Sequence, residues 1–259
     1  MLSEPILAQI LGRLGLAAPV RFDEVTGSTN ATCAELAANG ALEWTLVAAG
    51  HQTAGRGRLD RSWKDRPGES LLVSVLLRPR MAPEIAGLLP LLAGAAMAEA
   101  IGYRAGVRAG CKWPNDVMVG SHKVGGILAE ATVEGDELRH VVLGVGINLG
   151  AVPPDVDRAA SVSGVDAAAL LEEFLTRVHR TYRPDDDGFD DEFATSVLTV
   201  WRRASVTLGR RVRATDAGGH DVAGVAVDVD ERGGLVVERP DGARSIVAFG
   251  EVHHLRMDR

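Results

Sequence analysis

The chain has 259 residues, of which 46% are apolar and 24% charged, with a net charge of −7. That length admits one large domain or a medium one plus a small one, and the balance is that of a globular chain with a substantial core. The acidic total excludes broad non-specific DNA binding, which depends on Lys and Arg neutralising phosphates, so any nucleotide contact has to be local.

Two cysteines, Cys33 and Cys111, with no Cys-x-x-Cys spacing exclude a disulfide framework and a cysteine zinc site. Both are expected to be reduced and buried. The N-terminus, Met-Leu-Ser-Glu-Pro, has neither a basic n-region nor a long apolar one. The longest apolar run, Ile85–Ala98, holds 14 residues and Pro90, too short to cross a bilayer. A cytoplasmic protein with no membrane partner is expected.

In chain order, the pattern predicts a short helix from Glu4 to about Leu14 and a strand from Phe22 to Val25. Gly27-Ser-Thr-Asn30 leads into a helix over Ala31–Ala38 that Gly40 stops. Strands follow at Thr45–Ala49 and Ser70–Leu77, separated by the loop GHQTAGRGRLDRSW, Gly50 to Trp63. Pro83–Tyr103 reads as a long Ala/Leu-rich helix disturbed at Pro90. From Val107 the pattern is one of hairpins: AGCKWPNDVMV with a Pro-Asn-Asp corner, then VGGILAEATV, then LRHVVLGVGINL. Pro153-Pro154 is expected to end the sheet. Amphipathic helices are predicted at Ala167–Tyr182 and Asp191–Trp201, with the acidic loop RPDDDGFDDE between them. After Arg203, four or five short alternating strands in about 55 residues predict a small antiparallel barrel. The domains are therefore set at 1–203 and 204–259.

The motifs narrow the chemistry. GVGINLG runs into Ala-Val-Pro-Pro and not a helix, and GRGRLD lacks the third glycine, so neither is a dinucleotide fingerprint. No P-loop and no His-Glu-x-x-His is present. What remains is Arg, Lys, Asn and Asp around a glycine loop. Arg56, Arg58 and Arg61 sit among glycines that permit close approach and movement, and an Arg fork suits phosphate oxygens. In KWPND, Lys112 to Asp116, an amide and a carboxylate sit on a strand corner. Lys123, in HKVGGIL, is one short hairpin away. Ser28, Thr29 and Asn30 begin a helix, and Asn148 ends an apolar strand. Each has a plain structural reading as well: solvated arginines, a packed Trp63, an Asx turn at Asn115-Asp116, a surface lysine, an N-cap. Together they describe phosphoryl or nucleotidyl transfer by positioning and charge stabilisation.

In this order and spacing, Ser28-Thr29-Asn30, GHQTAGRGRLDRSW, KWPNDV, HKVGGIL and GVGINL resemble the biotin protein ligases (biotin–[acetyl-CoA-carboxylase] ligases) of the monofunctional type. The motifs span about residues 27 to 149, and the later helices and small barrel fit as well. The resemblance implies an α+β fold: a class II aminoacyl-tRNA synthetase-like catalytic domain with a C-terminal SH3-like barrel. It implies that biotin and MgATP give biotinyl-5′-AMP and pyrophosphate, and that a lysine of a biotin carboxyl carrier domain then displaces AMP.

Carried over by motif, Ser28, Thr29 and Asn30 hold the ureido end of biotin. Gln52, Arg56, Gly57 and Arg58 enclose biotin and the adenylate, and Gly125 and Gly126 leave room for the bicyclic ring. Lys123 and Arg58 are the implied catalytic residues, at the carboxylate and α-phosphate. Arg61, Trp63, Lys112, Asn115, Asp116 and Asn148 take the nucleotide, with Asp116 as the implied Mg²⁺ ligand. The loop is expected to lie open or disordered until it folds over the adenylate and excludes water. Only 27 residues precede Ser28, with no basic recognition helix, so no DNA partner is expected, and a monomer or weak homodimer is. The alternatives are a lipoate or octanoate ligase of the same fold, and a non-catalytic biotin sensor.

Overall fold

The computed structural model describes residues 2–152, 159–183, 189–216, 219–248 and 250–254. The elements run α1 (Glu4–Arg13), β1 (Val20–Asp23), α2 (Thr29–Ala38), β2 (Leu46–Ala49), β3 (Ser70–Leu77), α3 (Leu88–Ala105), β4 (Ala109–Lys112), β5 (Asp116–Val119), β6 (His122–Glu134) and β7 (Glu137–Asn148). There follow α4 (Ala167–Thr181), α5 (Phe189–Ala204), β8 (Arg211–Asp216), β9 (Asp221–Val229), β10 (Leu235–Glu238), β11 (Arg244–Val247) and β12 (Gly250–His254). The fold is mixed α+β. The first seven strands form one sheet in the order β1-β2-β3-β7-β6-β5-β4, parallel at β1/β2 and antiparallel elsewhere. The last five form a small antiparallel sheet, β11-β10-β9-β8-β12.

Both faces of the large sheet are covered, which explains why β3 reads SLLVSVLL with no polar alternation. Leu71, Val73, Val75 and Leu77 join the main core under α3 and α4, while Leu76 on the opposite face packs under α2 with Cys33, Ala37, Val47 and Val142. β7 divides the same way: Val141, Leu143, Val145 and Ile147 face the main core, and Val142 faces α2. Along that second face the apolar side chains give out, and glycines and polar groups replace them. The cleft lies there.

The helical stretch Pro83–Ala105 is long and apolar enough to cross a membrane by composition, yet it is a core helix, buried at Leu88, Leu89, 91–98, Ala100 and Ile101. The predicted kink at Pro90 is not where the irregularity falls. A 3-10 turn at Pro83–Ile85 precedes the helix, and Pro90 occupies its third position. In the first turn the missing N–H has no helical acceptor to lose, so proline fits without bending the axis. Both cysteines are free and buried, as expected. Burial pushes each thiol up to about 12, with the Glu99 carboxylate adding to it at Cys111. Pro153-Pro154 and half of the acidic loop, 184–188, lie outside the described residues.

The small sheet is keyed into the edge of the large one through the KWPND corner. Trp113 is buried; its backbone N–H donates to Thr207 Oγ1 at 2.9 Å and its indole N–H to the Gly233 carbonyl at 2.9 Å. Val206 donates its backbone N–H to the Cys111 carbonyl at 2.8 Å. An enclosed indole N–H without an acceptor would cost about 1–3 kcal/mol. The Gly233 carbonyl removes that penalty and fixes the corner that carries Asn115 and Asp116.

Candidate active site

The floor of the cleft is made of backbone. On the α2 face of the sheet, Gly126 of β6 pairs with Gly146 of β7, and Leu128 pairs with Gly144. A Cβ on Gly146 would meet the Trp63 indole at 2.8 Å, and one on Gly144 would overlap the Asn30 amide at 2.1 Å. These two positions accept no side chain while those neighbours stay in place. Gly125 is different: a Cβ there would strike Ile147 Cδ1 at 2.3 Å, because strand alternation points it into the core under the helices. It does not line the cleft; Gly126, Gly144 and Gly146 do.

One wall is the start of α2. Ser28, Thr29 and Asn30 are all buried polar residues. Ser28 caps the helix, its Oγ accepting the Ala31 N–H, so the plain reading and the site reading both hold. Gln52 Oε1 accepts the Thr29 N–H at 2.7 Å and the Thr29 hydroxyl at 3.1 Å. Beneath them, the fully buried Ser74 of β3 has its Oγ 2.6 Å from Asn30 Oδ1 and 2.8 Å from Thr29 Oγ1. Asn30 Nδ2 donates to Glu130 Oε2 at 2.6 Å and toward the Leu128 carbonyl at 3.3 Å. The amide orientation of Asn30 is therefore set on both sides.

Above the floor lies the Arg/Gly loop. An open loop is expected from its glycines; the structure instead shows a hairpin. Arg56 pairs with Ser62, the Gly57 N–H donates to the Arg61 carbonyl at 2.6 Å, and the Trp63 N–H donates to the Gly55 carbonyl at 2.9 Å. Leu59 and Asp60 at its tip adopt positive φ, 52° and 56°, a conformation unfavourable for leucine. Arg56 reaches Glu130 Oε2 at 3.0 Å. The Trp63 indole lies along Gly146, with its N–H enclosed and without a hydrogen-bond partner in the protein.

The third wall is the corner and its hairpin. Lys123 Nζ lies 2.5 Å from Asp116 Oδ1, so the two residues expected to share a site do so. The Asn115 amide donates to the Ile127 carbonyl at 2.7 Å, and its own carbonyl accepts the Ile127 N–H. Asn115 thus anchors the corner to β6. Lys112 also lines the cleft.

Of the residues expected at the site, Ser28, Thr29, Asn30, Gln52, Arg56, Gly57, Arg58, Arg61, Trp63, Lys112, Asn115, Asp116, Lys123 and Gly126 line one cleft of about 190 Å³. Asn148 does not. It is buried, its Nδ2 donating to the Ala160 carbonyl at 3.0 Å and its carbonyl accepting the Val162 N–H. Residues missing from the expectation are Ser74, Glu130, Gly144 and Gly146. Ser74 had a legible signal, a hydroxyl in the interior of the otherwise apolar run 71–77. Glu130 had none, since a glutamate eight residues into a long strand reads as solvated.

Two family models match: the biotin/lipoate A/B protein ligase family over residues 24–148, and the biotin protein ligase C-terminal domain over residues 207–255. The biotin–[acetyl-CoA-carboxylase] ligase of Mycobacterium tuberculosis is 36% identical over 246 residues, covering 89% of this chain and 87% of its own. The chain belongs to the biotin protein ligase family. The bifunctional ligase/repressor BirA of Bacillus subtilis is 34% identical over 235 residues, covering 87% of this chain and 71% of its own. Among solved structures, the biotin protein ligase from Aquifex aeolicus in complex with biotin and ATP superposes with a TM-score of 0.72 at 25% identity, covering 92% of this chain and 99% of that one.

As a member of this family the chain is a ligase, and its electrostatics suit the class. Arg56, Arg58, Arg61, Lys112 and Lys123 line the cleft, with Asp116 beside Lys123 and Glu130 beside Arg56, in a chain of net charge −7. That is a local cationic site built for an anion. Among the described residues no group of three His, Cys, Asp or Glu side chains is placed to hold a metal. A lone Asp116 suits a magnesium ion carried in on nucleotide phosphates with most of its waters, and does not make a resident metal cage.

Proposed function

We propose that this ligase activates biotin with MgATP and transfers it to a lysine of a biotin carboxyl carrier domain. A biotin carboxylate oxygen attacks the α-phosphorus, the bond to the bridging oxygen breaks, and pyrophosphate leaves. The carrier amine, having lost its proton, then attacks the acyl carbon of biotinyl-5′-AMP, and AMP departs with the bonding pair.

The observation carrying this reading is that one cleft joins a hydrogen-bonding wall to a cationic wall across a glycine floor. The Ser28–Asn30 wall suits the ureido group, and the flat floor at Gly126 and Gly146 suits a bicyclic ring. Lys123 would lie between the carboxylate and the α-phosphate, with Arg58 beside it. Trp63, Arg61 and Lys112 would take the nucleotide, Asn115 would hold the corner that carries them, and Asp116 would meet the magnesium water shell. Asn148 would act by holding 160–162 behind the site. Residues 1–203 would carry out both steps, with 204–259 supporting the corner and offering surface to the carrier. A cleft of about 190 Å³ is below the roughly 300–1,000 Å³ usual for ligand sites. The hairpin would therefore have to lift to admit both substrates and close again to keep water from the mixed anhydride.

Pyrophosphate release with ATP and biotin, beside ATP and lipoate, tests the reading. Biotin-dependent release that falls about 10²–10³-fold in Lys123→Ala is expected, the scale of losing one preorganised charge-stabilising group. Release with lipoate alone moves the substrate. Biotin binding without release in any sample makes the chain a sensor.

A further inference from the structure

The carboxylate of Asp65 is completely enclosed, its side chain having no solvent exposure. Its two described donors come from the other leg of the Arg/Gly loop: Oδ2 is 2.8 Å from His51 Nδ1, and Oδ1 accepts the Gln52 N–H at 3.4 Å. An enclosed carboxylate is tolerated only where donors meet it, so its placement fixes the geometry of those donors. The incoming leg is already tied down, since Thr53 and Ala54 donate their N–H groups to the carbonyls of Thr26 and Gly27 at 2.9 and 2.8 Å. The outgoing leg from Trp63 onward has Asp65, and then the Gly68 N–H on the Gly50 carbonyl at 2.9 Å. Gln52, the residue whose backbone Asp65 grips, holds Thr29 with its side chain.

We propose that His51 and Asp65 are positioning residues for the ligation site: their pair clamps the two legs of the Arg/Gly loop together and seats Gln52 against Thr29. The hairpin then closes as a hinged flap whose base does not spread, and retention of the acyl-adenylate depends on that base. This rests on the ligation reading for its kinetic consequence, though not for the clamp itself.

The test uses the full chain in wild-type, His51→Ala, His51→Asn and Asp65→Ala forms, each first checked by near-ultraviolet circular dichroism. Limited trypsin digestion read by mass spectrometry reports opening of the loop at Arg56, Arg58, Arg61 and Lys64 without any ligand. Steady-state pyrophosphate release gives KM for biotin and kcat, and chromatography gives the fraction of biotinyl-5′-AMP lost to solvent.

His51→Ala should raise loop cleavage and the KM for biotin about tenfold or more, the scale of losing one charge-assisted hydrogen bond. It should increase adenylate loss and keep kcat for pyrophosphate release within about threefold. His51→Asn keeps a side-chain N–H near the position of Nδ1 and should restore all three. Asp65→Ala should match or exceed His51→Ala, and if it fails to fold the two His51 variants decide alone. Unchanged cleavage in a folded His51→Ala overturns the clamp, as does an impaired His51→Asn, which would assign the effect to bulk. If the wild type releases no biotin-dependent pyrophosphate, the ligation reading fails while the trypsin result still judges the clamp.

Discussion

Ser74→Ala removes one fully buried hydroxyl from the middle of β3. The oxygen is 2.6 Å from Asn30 Oδ1 and 2.8 Å from Thr29 Oγ1, and its single proton serves one of them at a time. Alanine adds no bulk and keeps the strand, but it leaves an enclosed acceptor short of its donor. That deficit costs about 1–3 kcal/mol. In a chain of this size each kcal/mol moves Tm by roughly 2–4 °C, so the expected fall is about 2–12 °C. Asn30 keeps Nδ2 on Glu130 yet loses the contact that holds Oδ1, so biotin affinity should fall about five- to tenfold as the wall loosens. Differential scanning calorimetry and biotin titration calorimetry measure the two effects. A cycle with Asn30→Ala should show coupling of at least about 0.5 kcal/mol, as expected for residues in direct contact. Tm and affinity equal to wild type, with additive double-mutant effects, would refute the claim that Ser74 sets the amide of Asn30.

Other expectations are as direct. With both thiols pushed up to about 12 by burial, iodoacetamide at pH 8 should label neither Cys33 nor Cys111 in the folded chain and both in denaturant; rapid labelling of native protein contradicts the packing. Burial and then the Arg183 guanidinium hold His179 below the ordinary imidazole value. The unfolded chain therefore takes up that proton first as pH falls through about 6.5. Native stability should decline from there toward lower pH, and urea midpoints of His179→Gln should decline less steeply than wild type. Gly146→Ala puts a Cβ 2.8 Å from the Trp63 indole, so it should displace the flap and raise the KM for ATP at least about tenfold, while a wild-type KM would show that Trp63 does not rest there.

The fold was legible wherever one residue's chemistry sufficed. The strand at Ser70–Leu77 matches its predicted bounds because an apolar run of eight residues between turns has the length of a buried strand and is too short for a typical helix. The first helix ends within one residue of its predicted limit. The cleft was legible through motifs, with fourteen of the sixteen expected site residues on its lining. The two exceptions fail for a common reason. Gly125 and Asn148 were judged by their neighbours in sequence, while strand alternation and the 160–162 segment decide what they face.

The sequence alone determined the class of chemistry: arginines among glycines, a Lys-Trp-Pro-Asn-Asp corner and a nearby lysine, in an acidic chain without cysteine or histidine metal patterns. Those are local properties, carried by residue type and spacing. The tertiary structure decided which glycines form the floor, that Ser74 and Glu130 orient Asn30, that Trp113 keys the small sheet into the corner, and that His51 and Asp65 join across the base of the loop. Each of those contacts depends on strand register or on chain segments far apart in sequence. Neither is set until the sheet closes and every enclosed polar group has found its partner.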